Sequence, residues 1–175
     1  MGRMVTWLQT HEQKIFHFFN QRIQNPFLDW FMNRVTHLGG ATFTLGTALL
    51  LILLGNEFWR PVGWQSLVSV TASHIPVALL KKIYPRLRPY LVLPNTNTCE
   101  KPLIDHSFPS GHTTAVFALV LPIVSAVHLL GLILLPIAML VAVSRIYLGL
   151  HYPSDVLGGM GIGTIASICC VSIMG

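Results

Sequence analysis

Four apolar stretches without a charged side chain, residues 35–55, 62–80, 111–144 and 156–175, set the layout of the chain. Each of the first, second and fourth is about one membrane crossing long. The third, as a single helix, would run about 50 Å at 1.5 Å per residue, far beyond a hydrocarbon layer of about 30 Å. It is therefore predicted to be two short helices that turn near residues 128–131, which brings the total to five spans. Pro122 and Pro136 fall inside these helices and are expected to mark kinks. Gly158, Gly159, Gly161 and Gly163 give the last helix a small-residue face, with Gly159 and Gly163 spaced for close approach of a neighbour.

Residues 1–34 follow another pattern. Leu8, Ile15, Phe16, Phe19 and Ile23 recur at helical spacing, among Arg3, Glu12, Lys14 and Arg22. This predicts an amphipathic helix lying in the membrane interface, broken at Asn25-Pro26, and it lacks the uninterrupted apolar run of a cleaved signal peptide.

Composition agrees: 53% of the 175 residues are hydrophobic and 10% charged, a balance foreign to soluble domains. The reading is an all-α polytopic membrane helix bundle, one domain over residues 1–175, with 1–34 interfacial and 35–175 forming the bundle. Cys99 falls in a loop while Cys169 and Cys170 are adjacent in an apolar helix; no disulfide is expected, and the spacing fits no zinc site.

The chemistry follows from where polar residues meet helix ends. With five alternating spans, Lys81 and Lys82 end the second, Ser110, Gly111 and His112 start the third, Arg145 ends the fourth, and His151 and Asp155 start the fifth, all at one membrane face. Lysines and arginines at span ends often only snorkel to headgroups. Here Lys81 and Arg88 bracket Pro85 and precede Pro89, and Arg145 adds a third cation, a set matched to the peripheral oxygens of a phosphoryl group. Pro109-Ser110-Gly111-His112 opens a helix whose free N–H groups favour an anion. Of two histidines, one can attack phosphorus and the other protonate the departing oxygen. Asp155, four residues beyond His151, is placed to hold the imidazole tautomer, which makes His151 the better nucleophile. His37, His74 and His128 are read as structural or interfacial, His11 and His17 as part of the amphipathic segment, and His106 as a loop residue near substrate.

Lys81-x6-Arg88-Pro89, Pro109-Ser110-Gly111-His112 and Ser144-Arg145-x5-His151-x3-Asp155 together resemble the three-part signature of the type-2 phosphatidic acid phosphatase superfamily of membrane phosphatases. The likeness runs from about residue 25 to the end. It implies that Lys81, Arg88, Ser110, Gly111 and Arg145 bind the phosphoryl group, that His112 is the general acid, His151 the nucleophile and Asp155 its orienting partner, and that no metal or other cofactor is needed. Relatives commonly have six spans, and the amphipathic segment stands here in place of the first.

A site at the interface can take a headgroup phosphate while the hydrocarbon stays in lipid, so the expected partners are membrane lipids and a lipid phosphate substrate: undecaprenyl diphosphate, phosphatidylglycerol phosphate or phosphatidic acid. Residues 91–108, with Glu100, Lys101, Asp105 and His106, are where discrimination is expected. The cations concentrate on the site face, which by the positive-inside rule would be cytoplasmic; the resemblance implies the extracytoplasmic face, and that is the expectation adopted, because several of these cations serve phosphate. A non-catalytic lipid-phosphate binding or transport protein would need the cations without His112, His151 and Asp155. A vanadate-dependent haloperoxidase shares the signature but not five apolar spans in so short a chain. Nucleic acid is excluded as a partner, since the net charge of +5 is spread over span ends.

Overall fold

The computed structural model describes residues 2–98 and 104–175, and side chains from Thr10 onward. Cys99, Glu100 and Lys101 lie outside the described residues, as does the side chain of Arg3. The described residues form helices joined by turns and loops, without a strand. The helices are α1 (Gly2–His17), α2 (Pro26–Val35), α3 (Ala41–Leu54), α4 (Trp59–Ile83), the short α5 (Pro89–Val92), α6 (Gly111–Ala126), α7 (Gly131–Tyr147) and α8 (Pro153–Met174).

The long apolar run 111–144 divides where its length requires, at Val127 and a 3₁₀ turn over His128–Leu130. Among the described residues, two helical stretches are long and apolar enough by themselves to cross a membrane, His128–Tyr147 and Pro153–Met174; the pair Pro26–Gly39 and Ala41–Leu54 passes together but is bent by 52°. The α4 helix, at 25 residues, has the length but a more polar composition, with Gln65, Ser66, Ser69 and Ser73 buried. Its polar groups face inward: Ser66 Oγ donates to Leu119 O at 3.1 Å, and Ser69 Oγ meets Ser167 Oγ of α8 at 3.0 Å. Such bonds hold helices together where lipid offers no hydrogen-bonding alternative.

Central to the bundle is α6, packed by α3, α4, α7 and α8, with every residue from Thr113 to Val120 buried. The small-residue face of α8 lies against it as its spacing predicts. A Cβ on Gly159 would sit 2.6 Å from Ser110 O, and one on Gly163 2.5 Å from Thr114 O, so the two backbones meet at distances only glycine permits.

The N-terminal region departs from the pattern-based expectation in two ways. Asn25-Pro26 does more than break a helix, because it starts α2: Asn25 Oδ1 accepts from Leu28 N at 2.9 Å and Pro26 takes the first helical position. And α1 docks onto the bundle through its last turn. Phe16 is fully buried in a core shared with Val116, Phe117, Val141 and Val156. Asn20, in the π-helical turn Phe18–Arg22, donates to Asn97 O at 2.7 Å and Tyr147 O at 2.8 Å. Periodicity marked an apolar face without saying what would cover it.

Candidate active site

Four helix ends and one loop converge on a cavity of about 400 Å³ lined by Gly39, Ala41, His74, Val77, Ala78, Lys81, Arg88, Asp105, Gly111, His112 and His151. Five of the eight residues singled out from the sequence, Lys81, Arg88, Gly111, His112 and His151, thus share one wall-to-wall space although they are spread over 71 positions. The other three stand beside it. Ser110 is buried, its N–H donating to Asp155 O at 3.0 Å and its Oγ paired with Thr113 Oγ1 at 3.0 Å. Arg145, also buried, donates from Nη1 to Thr36 Oγ1 at 2.6 Å. Asp155 is fully buried behind His151.

The backbone brings His151 into place by a tight turn after α7. Gly149 adopts φ +69°, the left-handed region that favours glycine, and a Cβ there would collide with Asn97 O. Leu150 N and His151 N both donate to Arg145 O, at 3.1 and 3.2 Å. Pro153 then fixes the first turn of α8.

Arg88 and His151 are in direct contact. Arg88 Nη1 lies 3.2 Å from His151 Nε2 and 2.8 Å from Leu150 O. A guanidinium only donates, so Nε2 must be the unprotonated nitrogen and Nδ1 carries the hydrogen. This is the tautomer that keeps a lone pair at Nε2, on the cavity side. Burial pushes the His151 imidazole down to about 4; the Asp155 carboxylate opposes this, while the Arg145 and Arg88 charges reinforce it. His151 is therefore neutral across the physiological range.

Asp155 differs in detail from the simple reach-back picture. Its Oδ2 is 3.7 Å from His151 Nδ1, an electrostatic neighbour beyond hydrogen-bond length. The carboxylate is engaged elsewhere: Oδ2 accepts from Tyr152 N at 2.8 Å and from the Ser107 hydroxyl, and Oδ1 accepts from Arg86 Nη1 at 2.8 Å. As the third residue of α8 it reaches back to the N–H of Tyr152, which precedes the helix, and the helix dipole favours its charge there.

Residues outside the predicted catalytic and phosphate-binding set complete the surroundings. Arg86, not singled out from the sequence, joins Asp155 to Glu12 of α1 (Nη2 to Oε2, 2.7 Å) and stacks 3.9 Å over the Tyr152 ring. Glu12 Oε1 in turn accepts from Ser154 N at 3.0 Å. Asp105 bridges the two lining cations: it forms an ion pair with Lys81 Nζ, and its Oδ1 accepts from Arg88 Nη2 at 2.6 Å. Burial works against its ionisation, but Lys81 and Arg88 outweigh it and hold the carboxyl down at about 2. His74, read from sequence as structural, keeps a helix bond from Nδ1 to Val70 O at 2.8 Å and also lines the cavity. The only signal for Arg86 was its place between Pro85 and Pro89; Glu12 had none, since its partners lie 74 and 142 positions away. A second cleft of about 340 Å³, on the far side between α6 and α8, is lined by apolar and hydroxyl residues and His128, with no lysine or arginine.

The Asp105 carboxylate sits on Lys81 and Arg88 beside a neutral His151 imidazole whose Nε2 accepts from Arg88, so the cavity gathers cationic donors around a buried histidine. The comparisons with known proteins agree. The sequence profile of the PAP2 superfamily matches residues 62–175. Phosphatidylglycerophosphatase B of Bacillus subtilis (strain 168) is 31% identical over 161 residues, covering 82% of this chain and 73% of that protein. An undecaprenyl-diphosphatase of Sulfolobus acidocaldarius is 33% identical over 73% of this chain and 61% of its own length. Among solved structures, Aquifex aeolicus LpxE superposes with a TM-score of 0.80 at 28% identity, covering 91% of this chain and 94% of that one.

Proposed function

We propose that this chain, which belongs to the PAP2 superfamily of membrane lipid phosphatases, transfers the phosphoryl group of a lipid phosphate to His151 Nε2 and then to water. The observation that carries this is the Arg88–His151 contact at 3.2 Å inside a cavity that also holds Lys81, Gly111 and His112.

In the first step the Nε2 lone pair forms a bond to phosphorus, the bond to the lipid oxygen breaks, and His112 gives that oxygen its proton. In the second, His112 takes a proton from water, the hydroxide oxygen bonds to phosphorus, and the N–P bond breaks to release inorganic phosphate. Lys81, Arg88 and Arg145 neutralise charge on the peripheral oxygens throughout, with the first turn of α6 at Gly111 offering N–H groups to the same anion. Asp155, fixed by Arg86, Ser107 and Tyr152 N, stabilises the imidazole as it becomes charged. No step draws on a metal.

Five crossings by α3, α4, α6, α7 and α8 account for the geometry: α3, α6 and α8 begin at the cavity and α4 and α7 end there, as alternate directions require. The cavity then lies at one interface, within reach of a headgroup whose chain remains in lipid. Its substrates belong to the set of undecaprenyl diphosphate, phosphatidylglycerol phosphate and phosphatidic acid, and it opens to the extracytoplasmic face.

Phosphate release from the three lipids presented side by side, with and without EDTA, is the first test. We expect turnover that EDTA leaves intact and that His151→Ala abolishes, with an acid-labile phosphoenzyme trapped on a slow substrate. Near-wild-type turnover by His151→Ala would sink the nucleophile assignment. For orientation, a cysteine introduced in residues 91–98 of a Cys99→Ser background should react in whole cells with a membrane-impermeant thiol reagent.

A further inference from the structure

The donors that a phosphoryl group requires are already occupied. Asp105 presents one carboxylate oxygen to Lys81 Nζ and the other to Arg88 Nη2 at 2.6 Å, so a single side chain spans both lining cations. That is the bidentate, charge-assisted arrangement in which guanidinium and ammonium groups bind phosphate oxygens. Yet the rest of Arg88 is held independently of that carboxylate: Nη1 donates to Leu150 O at 2.8 Å and Nε to the Asp105 backbone oxygen at 2.7 Å. Departure of the carboxylate would leave Arg88 in place and free its Nη2. The Arg88 side chain is fully buried, whereas that of Asp105 is 53% exposed at the mouth of the cavity, so Asp105 can turn outward into water without stranding a charge in a dry interior.

We propose that Asp105 is an internal competitor for the phosphate site: in the empty enzyme its carboxylate stands where two substrate oxygens bind, and the incoming lipid phosphate must displace it. This inference deepens the reading of the site as a lipid phosphatase and rests on it. It makes Asp105 a determinant of affinity and selectivity. A strongly charged phosphate displaces the carboxylate and a weaker anion does not, so neutral and zwitterionic headgroups are kept from resting on Lys81 and Arg88.

The test compares full-length wild type, Asp105→Asn and Asp105→Glu in the same lipid nanodiscs, with inorganic phosphate binding followed by calorimetry and lipid phosphate hydrolysis by phosphate release. Asn keeps the shape but removes the charge that competes. Phosphate should bind Asp105→Asn about fivefold more tightly, the scale of one partly exposed ion pair, and KM for lipid phosphate should fall in parallel at unchanged kcat. Asp105→Glu, which keeps the charge, should remain near wild type. Equal or weaker phosphate binding in Asp105→Asn would overturn the proposal and make Asp105 a positioner of the two cations. So would a gain in Asp105→Glu as large as that in Asp105→Asn. Absence of hydrolysis by the wild type would instead count against the phosphatase reading, leaving the phosphate-binding comparison to decide the role of Asp105.

Discussion

His151 combines full burial with a neutral charge state, and its pH behaviour follows. Its imidazole is held at about 4 in the folded protein against an ordinary 6.5, because burial and two nearby cations oppose protonation more than Asp155 favours it. The neutral form therefore prevails at every pH above about 4. After correction for the substrate's own phosphate ionisation, the acid limb of kcat/KM assigned to His151 should lie near pH 4, and a limb near 6.5 would contradict this environment. The stability linkage has the same sign: the unfolded chain binds the extra proton first, so the contribution is complete above about 6.5 and is lost as pH falls towards 4. At this scale the sequence was informative where motif residues are concerned. Lys81, Arg88, Gly111, His112 and His151 were singled out from spacing and do line one cavity. Asp105 was noticed only as a member of a loop, because nothing in local order tells that its carboxylate turns back onto Lys81 and Arg88.

Among the helices, the α6–α8 seam is the closest. Gly163 faces Thr114 O and Phe117, whereas Gly161, two positions away, has no atom within 4 Å of a Cβ built there. Gly163→Leu should force the two helices apart, costing about 1–3 kcal/mol of stability and most of the activity, since α6 and α8 carry His112 and Asp155. Gly161→Ala should be neutral. Thermal melting in detergent and phosphate release, measured on both variants, check this pair. Equal effects at the two positions would refute the packing account. The later helices were legible for a physical reason: in lipid a backbone must satisfy its own hydrogen bonds, so an uncharged apolar run of sufficient length has little alternative to a helix; the first run, 35–55, is instead divided, with α3 starting only at Ala41 and bent by 52° from the helix before it. The start of α2 at Pro26 was missed because its asparagine cap and proline were read only as a break.

Across the whole molecule, the N-terminal helix is tied to the start of the last one. Glu12 holds Arg86 and Ser154 N, and Arg86 holds Asp155, a chain of charge-assisted bonds running from α1 to the neighbour of His151. Glu12→Gln should cost about 1 kcal/mol, given that Arg86 is partly exposed, and should lower kcat more than it raises KM, because Asp155 loses the hold on its partner while the phosphate cradle stays intact. Combined with Arg86→Gln the losses should be less than additive, since both variants cut one network. Strict additivity in a double-mutant cycle would show that Glu12 and Arg86 act separately.

Local composition and periodicity were enough for the helical class, the turn near residue 128, the glycine seam and the gathering of cations and histidines at one face. Each of these follows from short-range rules: length against bilayer thickness, and the need of a charge at a helix end to meet water or a partner. Which partner each charge takes was decided by the folded bundle alone. Arg86 to Glu12, Asp155 to Ser107 and Asp105 to Lys81 and Arg88 join segments far apart in the chain, and an ion pair is selected by three-dimensional proximity in a medium that penalises a lone charge, a condition that order along the chain does not record.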